Sequence, residues 1–414
     1  MNQNNGLYTD FGYLTVDAKA VPDARPLEGA TVSIFAGDRI VEQISTNEAG
    51  QTEPMELGAP PLELSLVPET QIRPYSEYTV RVDAPGFETV YIEGVQILAG
   101  RLAIQRVNMR PAPPESAPQI YMVEPNSLWG DFPPKIPEPE VKPLPSGDGF
   151  IVLSEPVVPE FMVVHLGAPQ DTTAQNVWVL FKDYIANVAS CEIYSTWPPE
   201  TIRANVLAII SFALNRVFTE WYRSRGFEFT ITNNTAFDML FSYGRNIFDS
   251  ILNVVNEVFT TYVTRPGIRQ PLFTQFCDGV RVSCAGLHQW GSKSLGDQGL
   301  DALSILRNYY GTNVYLTQAQ RVQGVPISYP GQPLQSGSTG MDVRTIQTQL
   351  NTIADSYPMI PKLRVDGIFG PMTEQSVRVF QQIFRLPVTG VVDFATWYEI
   401  SKIFVSVTRI AEPG

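Results

Sequence analysis

One residue stands out as a candidate for proton chemistry. Glu192 is a lone carboxylate among apolar and aromatic neighbours in the stretch FKDYIANVASCEIYSTWPPETIRANVLAIISFALNRVFTEWYRSR, residues 181–225. An acid just ahead of a buried helix loses hydration, and desolvation raises a carboxyl pKa toward the range useful for general acid–base work. The plainer alternative is a surface or capping glutamate, because structural carboxylates outnumber catalytic ones. A second group is Cys277, Cys284 and His288, with Asp278-Gly279 between the two cysteines. Two thiolates and an imidazole suit zinc, with Cys191 as a fourth ligand, but the spacing follows no zinc pattern. The expectation is two neighbouring thiols, reduced, with no metal and no other cofactor. His165 lies in an apolar strand with no second ligand nearby and reads as a core histidine.

These groups need elements to hold them. After Glu192 comes a turn, Ser195-Thr196-Trp197-Pro198-Pro199, and then a long helix. Ser195 or Thr196 is placed to cap it, the prolines suit its first turn, and Glu200 sits near its positive end. Ile202, Val206, Ile209, Ala213, Val217 and Trp221 recur at helical spacing and predict one buried face. NIFDSILNVVNEVFTTYV predicts a second helix with Ile247, Ile251, Val254, Val258 and Tyr262 on one stripe. DALSILRNYY predicts a short third one. Residues 149–180 read as strands, in FIVLSEP, FMVVHLG and NVWVLF.

Residues 7–110 alternate apolar and polar positions in YLTVDAK, ATVSIFAG, LELSLV, EYTVRVDA, TVYIEGVQI and RLAIQRVNM, with turn residues at short intervals. Six or seven such strands predict a β-sandwich. Eleven prolines between Pro111 and Pro145 mark 111–148 as an extended, semi-rigid linker, interrupted by Ile120, Tyr121, Trp129 and Phe132.

The chain has 414 residues, enough for two to four domains. A hydrophobic content of 44% with 17% charged residues is a globular balance. The net charge of −13 argues against nucleic acid, which needs a basic surface. The start, MNQNNGLYTDFGYLTV, has neither the basic nor the apolar region of a signal peptide. The longest apolar run, VLAIISFAL, is too short to span a bilayer. The expectation is therefore cytoplasmic synthesis, with no membrane span, and exit, if there is any, by a non-classical route.

Three resemblances add to this reading. Arg25-Pro26-Leu27-Glu28-Gly29-Ala30-Thr31-Val32, Thr46-Asn47-Glu48-Ala49-Gly50, and Tyr78-Thr79-Val80 with Ala84-Pro85-Gly86-Phe87 resemble a carboxypeptidase-regulatory-like or collagen-adhesin-B-type module, over about 95 residues. Such modules imply a spacer or stalk. The isopeptide lysine of some adhesin modules would fall near Val16, and the only lysine in this region is Lys19.

The centre resembles the stage II sporulation protein D, or amidase-enhancer, family. The residues are Tyr184-Ile185-Ala186-Asn187-Val188-Ala189-Ser190-Cys191-Glu192-Ile193, then Trp197-Pro198-Pro199-Glu200-Thr201-Ile202-Arg203-Ala204-Asn205 with Ala213-Leu214. Gly286-Leu287-His288-Gln289-Trp290-Gly291 and Ile305-Leu306-Arg307-Asn308-Tyr309-Tyr310-Gly311 follow in order. This resemblance implies lytic transglycosylase or amidase-activating chemistry on peptidoglycan, with Glu192 as acid/base and Trp197, Gln289 and Trp290 near substrate. A lone acid fits non-hydrolytic cleavage, whereas most glycosidases use a carboxylate pair. Ile210 and Ser283 stand where the family has an arginine and a histidine.

Residues 333–402 resemble the peptidoglycan-binding type 1 domain, a three-helix module. The carrying residues are Gly340-Met341-Asp342-Val343, Ile346-Gln347, Leu350, Val365-Asp366-Gly367-Ile368-Phe369-Gly370-Pro371, Thr373, Val377, Phe380-Gln381, Thr389-Gly390-Val391 and Thr396-Trp397. The turn pairs Asp366-Gly367 and Thr389-Gly390 in parallel contexts suggest an internal half-repeat. Asp366, Phe369, Gln381 and Tyr398 are the candidates for an exposed glycan groove; the alternative is a module that docks on its neighbours.

The resulting expectation is a multidomain chain with an N-terminal β-sandwich, a central α+β domain and a C-terminal three-helix domain. The boundaries are 1–110, a linker at 111–148, 149–330 and 331–414. The partner is peptidoglycan glycan, with other cell-wall or spore-layer proteins. The function is a lytic transglycosylase linked to sporulation or cortex remodelling, or else a non-enzymatic wall-binding scaffold.

Overall fold

Period-two alternation puts the first third of the chain into strands, and the computed structural model describes residues 8–22, 24–68, 70–113, 116–144 and 155–408. Among them β1 (Asp10–Ala20), β2 (Thr31–Ala36), β3 (Arg39–Ser45), β4 (Met55–Ala59), β5 (Ser76–Asp83), β6 (Val90–Ile97), β7 (Leu102–Met109) and β8 (Gln119–Met122) come first. β9 (Val157–Val158), β10 (Phe161–His165) and β11 (Asn176–Leu180) follow. Next are α1 (Phe181–Glu192), α2 (Pro199–Phe218), β12 (Ile231–Thr232), β13 (Ile247–Phe248), α3 (Asp249–Val258), β14 (Thr261–Thr264), β15 (Phe276–Cys277) and β16 (Leu287–His288). The chain continues through α4 (Gln289–Asp297), α5 (Ala302–Tyr310), β17 (Tyr315–Gln318) and β18 (Arg321–Val322). It closes with α6 (Met341–Ser356), α7 (Pro371–Ile383) and α8 (Phe394–Thr408).

The architecture is multidomain, with mixed sheets and a helical C-terminal region. One sheet runs β3-β2-β5-β6-β8 and another runs β4-β1-β7-β13. β1 lies antiparallel to β4 and parallel to β7, from Tyr13 opposite Leu102 to Ala20 opposite Met109. Leu14, Val16, Ala18, Val32, Ile34, Val80 and Val82 are buried on the inward faces. β13 comes from the centre of the sequence, yet it pairs with β7, Ile247 opposite Ile104. Asn246 supports this join by exchanging two hydrogen bonds of 2.9 Å with the Gln96 backbone.

Several sequence expectations change. LELSLV forms a single 3-10 turn, Leu62–Ser65, and β3 and β4 arise from segments not singled out in the sequence. The start of FIVLSEP, residues 150–154, lies outside the described residues, as do linker positions 114, 115 and 145–148. Neither Ser195 nor Thr196 caps α2: its cap is Pro198, and the Thr196 hydroxyl meets that of Ser65 at 2.8 Å. The α3 stripe is shorter than expected, because Ile247 belongs to β13 and Tyr262 to β14.

α2 buries more than one face. Residues from Thr201 to Phe218 are almost all buried, since α1, α3, α4, α5 and β14 surround it. Its length and apolar content would suit a bilayer, but 89% of that window is buried inside the protein. A helix that is apolar all round is a core helix when other elements enclose it.

The linker is extended but not free. Ser127 N–H donates to Cys191 O at 2.8 Å, Ile136 N–H to Ala236 O at 2.7 Å, and Phe273 N–H to Glu140 O at 2.8 Å. Lys142 exchanges two bonds with Gln270, of 3.0 and 2.9 Å. Proline removes backbone donors, so the strap is fastened through its non-proline residues and side chains. Arg216 makes the strongest of these links, with two bonds to Glu138 of 2.9 and 2.7 Å and one to Asp238 of 2.7 Å.

Candidate active site beneath a strap

Glu192 is the last residue of α1 and is 2% exposed. Its carboxylate is fixed from two sides. Oε1 accepts from Leu240 N–H at 2.8 Å, and Oε2 accepts from the Gln289 amide at 3.2 Å. The same Gln289 amide donates to the Glu192 carbonyl at 2.7 Å. Gln289 is the first residue of α4 and 2% exposed, so the two side chains form one buried unit.

This unit lines a cavity of about 130 Å³ with Ser127, Asp131, Phe132, Pro133, Lys135 and Arg281. Five of those six come from the strap. Burial pulls the Lys135 ammonium below its ordinary range, and the nearby charges of Glu192 and Asp238 work against that pull. Lys135 also donates to the carbonyl oxygens of Thr235 and Asp238. Sequence reasoning missed Lys135 because it sits in a proline-rich run with no local motif. The apolar interruptions at Trp129 and Phe132 were the available signal that this run packs.

The opposite wall carries the cysteines. Cys277 and Cys284 form a disulfide across a Cα separation of 6.1 Å, which corrects the expectation of reduced thiols. The turn between them brings the sulfurs together: Asp278 Oδ1 accepts from Val280 and Val282 N–H at 3.0 and 2.8 Å. Arg281, on the same turn, reaches the strap and donates to the carbonyls of Ser127 and Gly130, both at 2.7 Å. His288 lies with the two sulfurs in a group 4.8 Å across. Bonded sulfurs offer no thiolate, so this group lacks the charge a zinc site needs. Cys191 is buried and free, and burial pushes its thiol up to about 11.

Trp197 and Trp290 are not in the Glu192 cavity. Trp197 is 1% exposed and donates from Nε1 to Ser65 O at 2.9 Å. Its ring meets Trp290 at 5.0 Å and Tyr194 at 6.0 Å between centroids. Trp290 lines a separate cavity of about 160 Å³ with Leu128, Trp129, Tyr194 and Arg281. His165 is a satisfied core residue, bonded to Asn176 and Ala168 O and stacked on Phe229 at 4.5 Å.

Three of the four C-terminal candidates sit inside rather than along an exposed groove, and Asp366 is half-buried. Phe369 is 1% exposed, Gln381 0% and Tyr398 6%. Gln381 closes a loop: its amide donates to Thr389 Oγ1, Val391 O and Thr396 Oγ1, and its Oε1 accepts from Thr389 and Gly390 N–H. Gln347 repeats the device with Asp366, Ile368 O, Thr373 and Gly367 N–H. Arg344 and Arg378 each donate to a carbonyl on their own loop, of Val365 and Val388, at 3.2 Å. Asp366 accepts from Ile368 N–H at 2.9 Å, which fixes its turn. Gly367 and Gly390 both have left-handed φ, +75° and +76°. The module is two copies of one buried amide clasp.

It also docks. Lys182 on α1 pairs with Glu399 on α8 at 2.7 Å, with side chains 9% and 8% exposed. Lys402 pairs with Asp183 at 3.0 Å, and Arg385 with Asp17 at 2.7 Å.

Residues 339–400 match the family described as putative peptidoglycan binding domain, which covers α6, α7 and the first half of α8. Among solved structures, the SleB N-terminal domain is 32% identical over 19% of this chain and 99% of that one, at a TM-score of 0.17. The Bacillus anthracis TIE protein is 14% identical over 25% of this chain and 17% of that one, TM-score 0.17. The minor pilin GBS52 of Streptococcus agalactiae is 11% identical over 27% and 49%, TM-score 0.19. No curated protein matches the chain. The family match supports a peptidoglycan-binding domain in the C-terminal segment and engagement of the cell wall.

Proposed function

We propose that this protein engages peptidoglycan through its C-terminal domain and cleaves glycan strands as a lytic transglycosylase, with Glu192 as the acid/base, during spore formation or cortex remodelling. In this reading 1–110 is a β-sandwich spacer, 111–148 the strap, 149–330 the catalytic α+β domain and 331–414 the wall-binding domain. The observation that carries it is the buried Glu192–Gln289 unit opening on a cavity that Lys135 also lines.

The chemistry needs one carboxyl. Glu192 gives its proton to the glycosidic oxygen as the C1–O4 bond breaks. The 6-hydroxyl of the muramic residue then attacks C1, closing the anhydro ring, and its proton returns to Glu192. No water is consumed and the acid is regenerated. Gln289 and Leu240 N–H hold the carboxylate in place through the cycle. Lys135 lines the same cavity, tied to the carbonyl oxygens of Thr235 and Asp238.

A second reading has its own observation. The cavity holds about 130 Å³ under the strap, less than a typical ligand pocket, and the wall-binding domain is fastened to α1 and β1. A scaffold with a retired site would look like this. Digestion of purified sacculi separates the two: release of anhydro-muropeptides supports the enzyme, and wall binding with no release leaves the scaffold.

A further inference from the structure

A cleft away from Glu192 lies between β11, the end of β9 and the turn that follows α2. It encloses about 280 Å³ and shares no lining residue with the Glu192 cavity. Its walls are aromatic: Phe161 and Trp178 from the sheet, Trp221, Tyr222 and Phe229 from the turn and the segment after it. Val163, Tyr222 and Phe229 form a small core of their own behind it. Trp178 does not join that core. It stays 59% exposed on an edge strand, with its ring 6.2 Å from Phe161 edge-on. Its face is therefore open.

The polar groups at the rim are Glu160, Glu220, Arg223, Thr230 and Gln323. They mix donors and acceptors, Arg223 approaches Glu220 at 4.0 Å, and Arg216 beneath is taken up by Glu138 and Asp238, so no free cation faces the cleft among these groups. A cleft of this kind suits a neutral ligand with one apolar face and hydroxyls or amides around its edge. A pyranose ring has that shape: axial C–H groups on one face, equatorial polar groups at the perimeter.

Glu220 has φ of +46°, the left-handed conformation common just past a helix C-terminus: its N–H donates to Val217 O at 3.1 Å and that of Trp221 to Arg216 O at 3.2 Å, which closes α2. This turn sets the Glu220 carboxylate on the cleft beside Trp221. Burial raises both Glu160 and Glu220, as it does for acids turned into a partly dry pocket.

We propose that this cleft is a second glycan-binding site, which takes one N-acetylhexosamine ring of a β-1,4-linked chain on the face of Trp178, with Glu220 accepting a hydroxyl at the rim. It deepens the wall-engagement reading and rests on it. The site lets the protein hold a strand on the central domain as well as at the C-terminal domain.

The test uses the full chain and a soluble hexamer of β-1,4-linked N-acetylglucosamine, titrated by calorimetry, with sedimentation on purified sacculi alongside. Trp178→Ala should weaken hexamer binding about tenfold or more without lowering the melting temperature, because the ring is mostly exposed. Glu220→Gly should also weaken binding, while the melting temperature holds or rises, since glycine adopts a left-handed φ readily. Equal hexamer affinity in wild type and both variants overturns the cleft and leaves the wall reading intact. So does a wild type that sediments with sacculi but ignores the hexamer. A wild type that binds neither overturns both.

Discussion

Glu192 illustrates how a buried side chain is fixed by its supports rather than its type. The glutamate was visible in the sequence through the block that leads to it, and Gln289 through the block downstream, and the two meet. Leu240 N–H and Lys135 were not visible, because a backbone donor has no signature and a lysine among prolines reads as linker. Glu192→Gln should abolish anhydro-muropeptide release while folding and wall binding persist. Glutamine keeps the hydrogen bonds but shuttles no proton, and proton transfer typically contributes about 10²–10⁴-fold to rate. Glu200→Gln is the matched control. Its carboxylate accepts from Ala302 N–H at 2.9 Å, and an amide oxygen serves there too. The loss should be about 0.3–1 kcal/mol of stability through the helix dipole, with activity following stability. A wild type that releases nothing, with Glu192→Gln indistinguishable from it, leaves the carboxylate as a structural residue.

Among the elements, the amide clasps of the C-terminal domain are the most legible. The turn pairs Asp366-Gly367 and Thr389-Gly390, read in the sequence as a half-repeat, are what Gln347 and Gln381 hold. The expected direction of Gln381 differs, since an amide that closes a loop five ways has nothing left for a sugar. Gln381→Leu should cost about 1–3 kcal/mol for each buried group left unpaired, read as a lower midpoint in urea unfolding. Gln347→Leu should match it, and a surface-like loss below ~0.5 kcal/mol would show that the clasp is dispensable. The disulfide turn was misread for a different reason: spacing says nothing about the distance between two sulfurs. Thiol labelling of the denatured, unreduced protein should count one cysteine, Cys191, and three after a dithiol reductant. Cys277→Ser with Cys284→Ser should lower stability by about 2–3 kcal/mol, the value of closing so short a loop. Labelling of three thiols without reductant would restore the reduced pair.

At the scale of the whole molecule, the ion pairs between α1 and α8 make its assembly sensitive to acid. Burial pushes the Glu399 carboxyl up, but the ammonium groups of Lys182 and Lys402 outweigh it and hold it at about 2, against 4.5 when free. Burial also pulls Lys182 down, so the pair contributes less than the carboxylate alone would suggest. A depressed carboxyl stabilises fully above its unfolded pKa. That contribution is lost as the pH falls through 4.5 toward 2. The C-terminal domain should therefore loosen from α1 within this window, seen as protease cleavage between 323 and 340 before the helices melt. Glu399→Gln should flatten the acid limb and cost about 3 kcal/mol or more at neutral pH, because Lys182 is left buried without its partner. An unchanged acid limb in that variant would place the pH sensitivity elsewhere. The pairing itself was outside the reach of the sequence, which shows two charges 217 positions apart and no sign that they meet.

The strap has a consequence for how the chain comes to be made. Residues 127–144 emerge from the ribosome before most of the surface they lie on: their anchors include Cys191, Arg216, Gln270 and Arg281. β7 likewise waits for β13, so the nascent N-terminal sheet keeps an unpaired edge until residue 248 is available. For the time taken to synthesise about 140 further residues, at roughly 5–20 per second, the growing chain carries an open strand edge and a loose aromatic-bearing tail. Such edges invite pairing with other chains. Slow translation or a holding chaperone would then govern the yield of this protein more than its final stability does, and N-terminal fragments ending before residue 248 should be the species that aggregate.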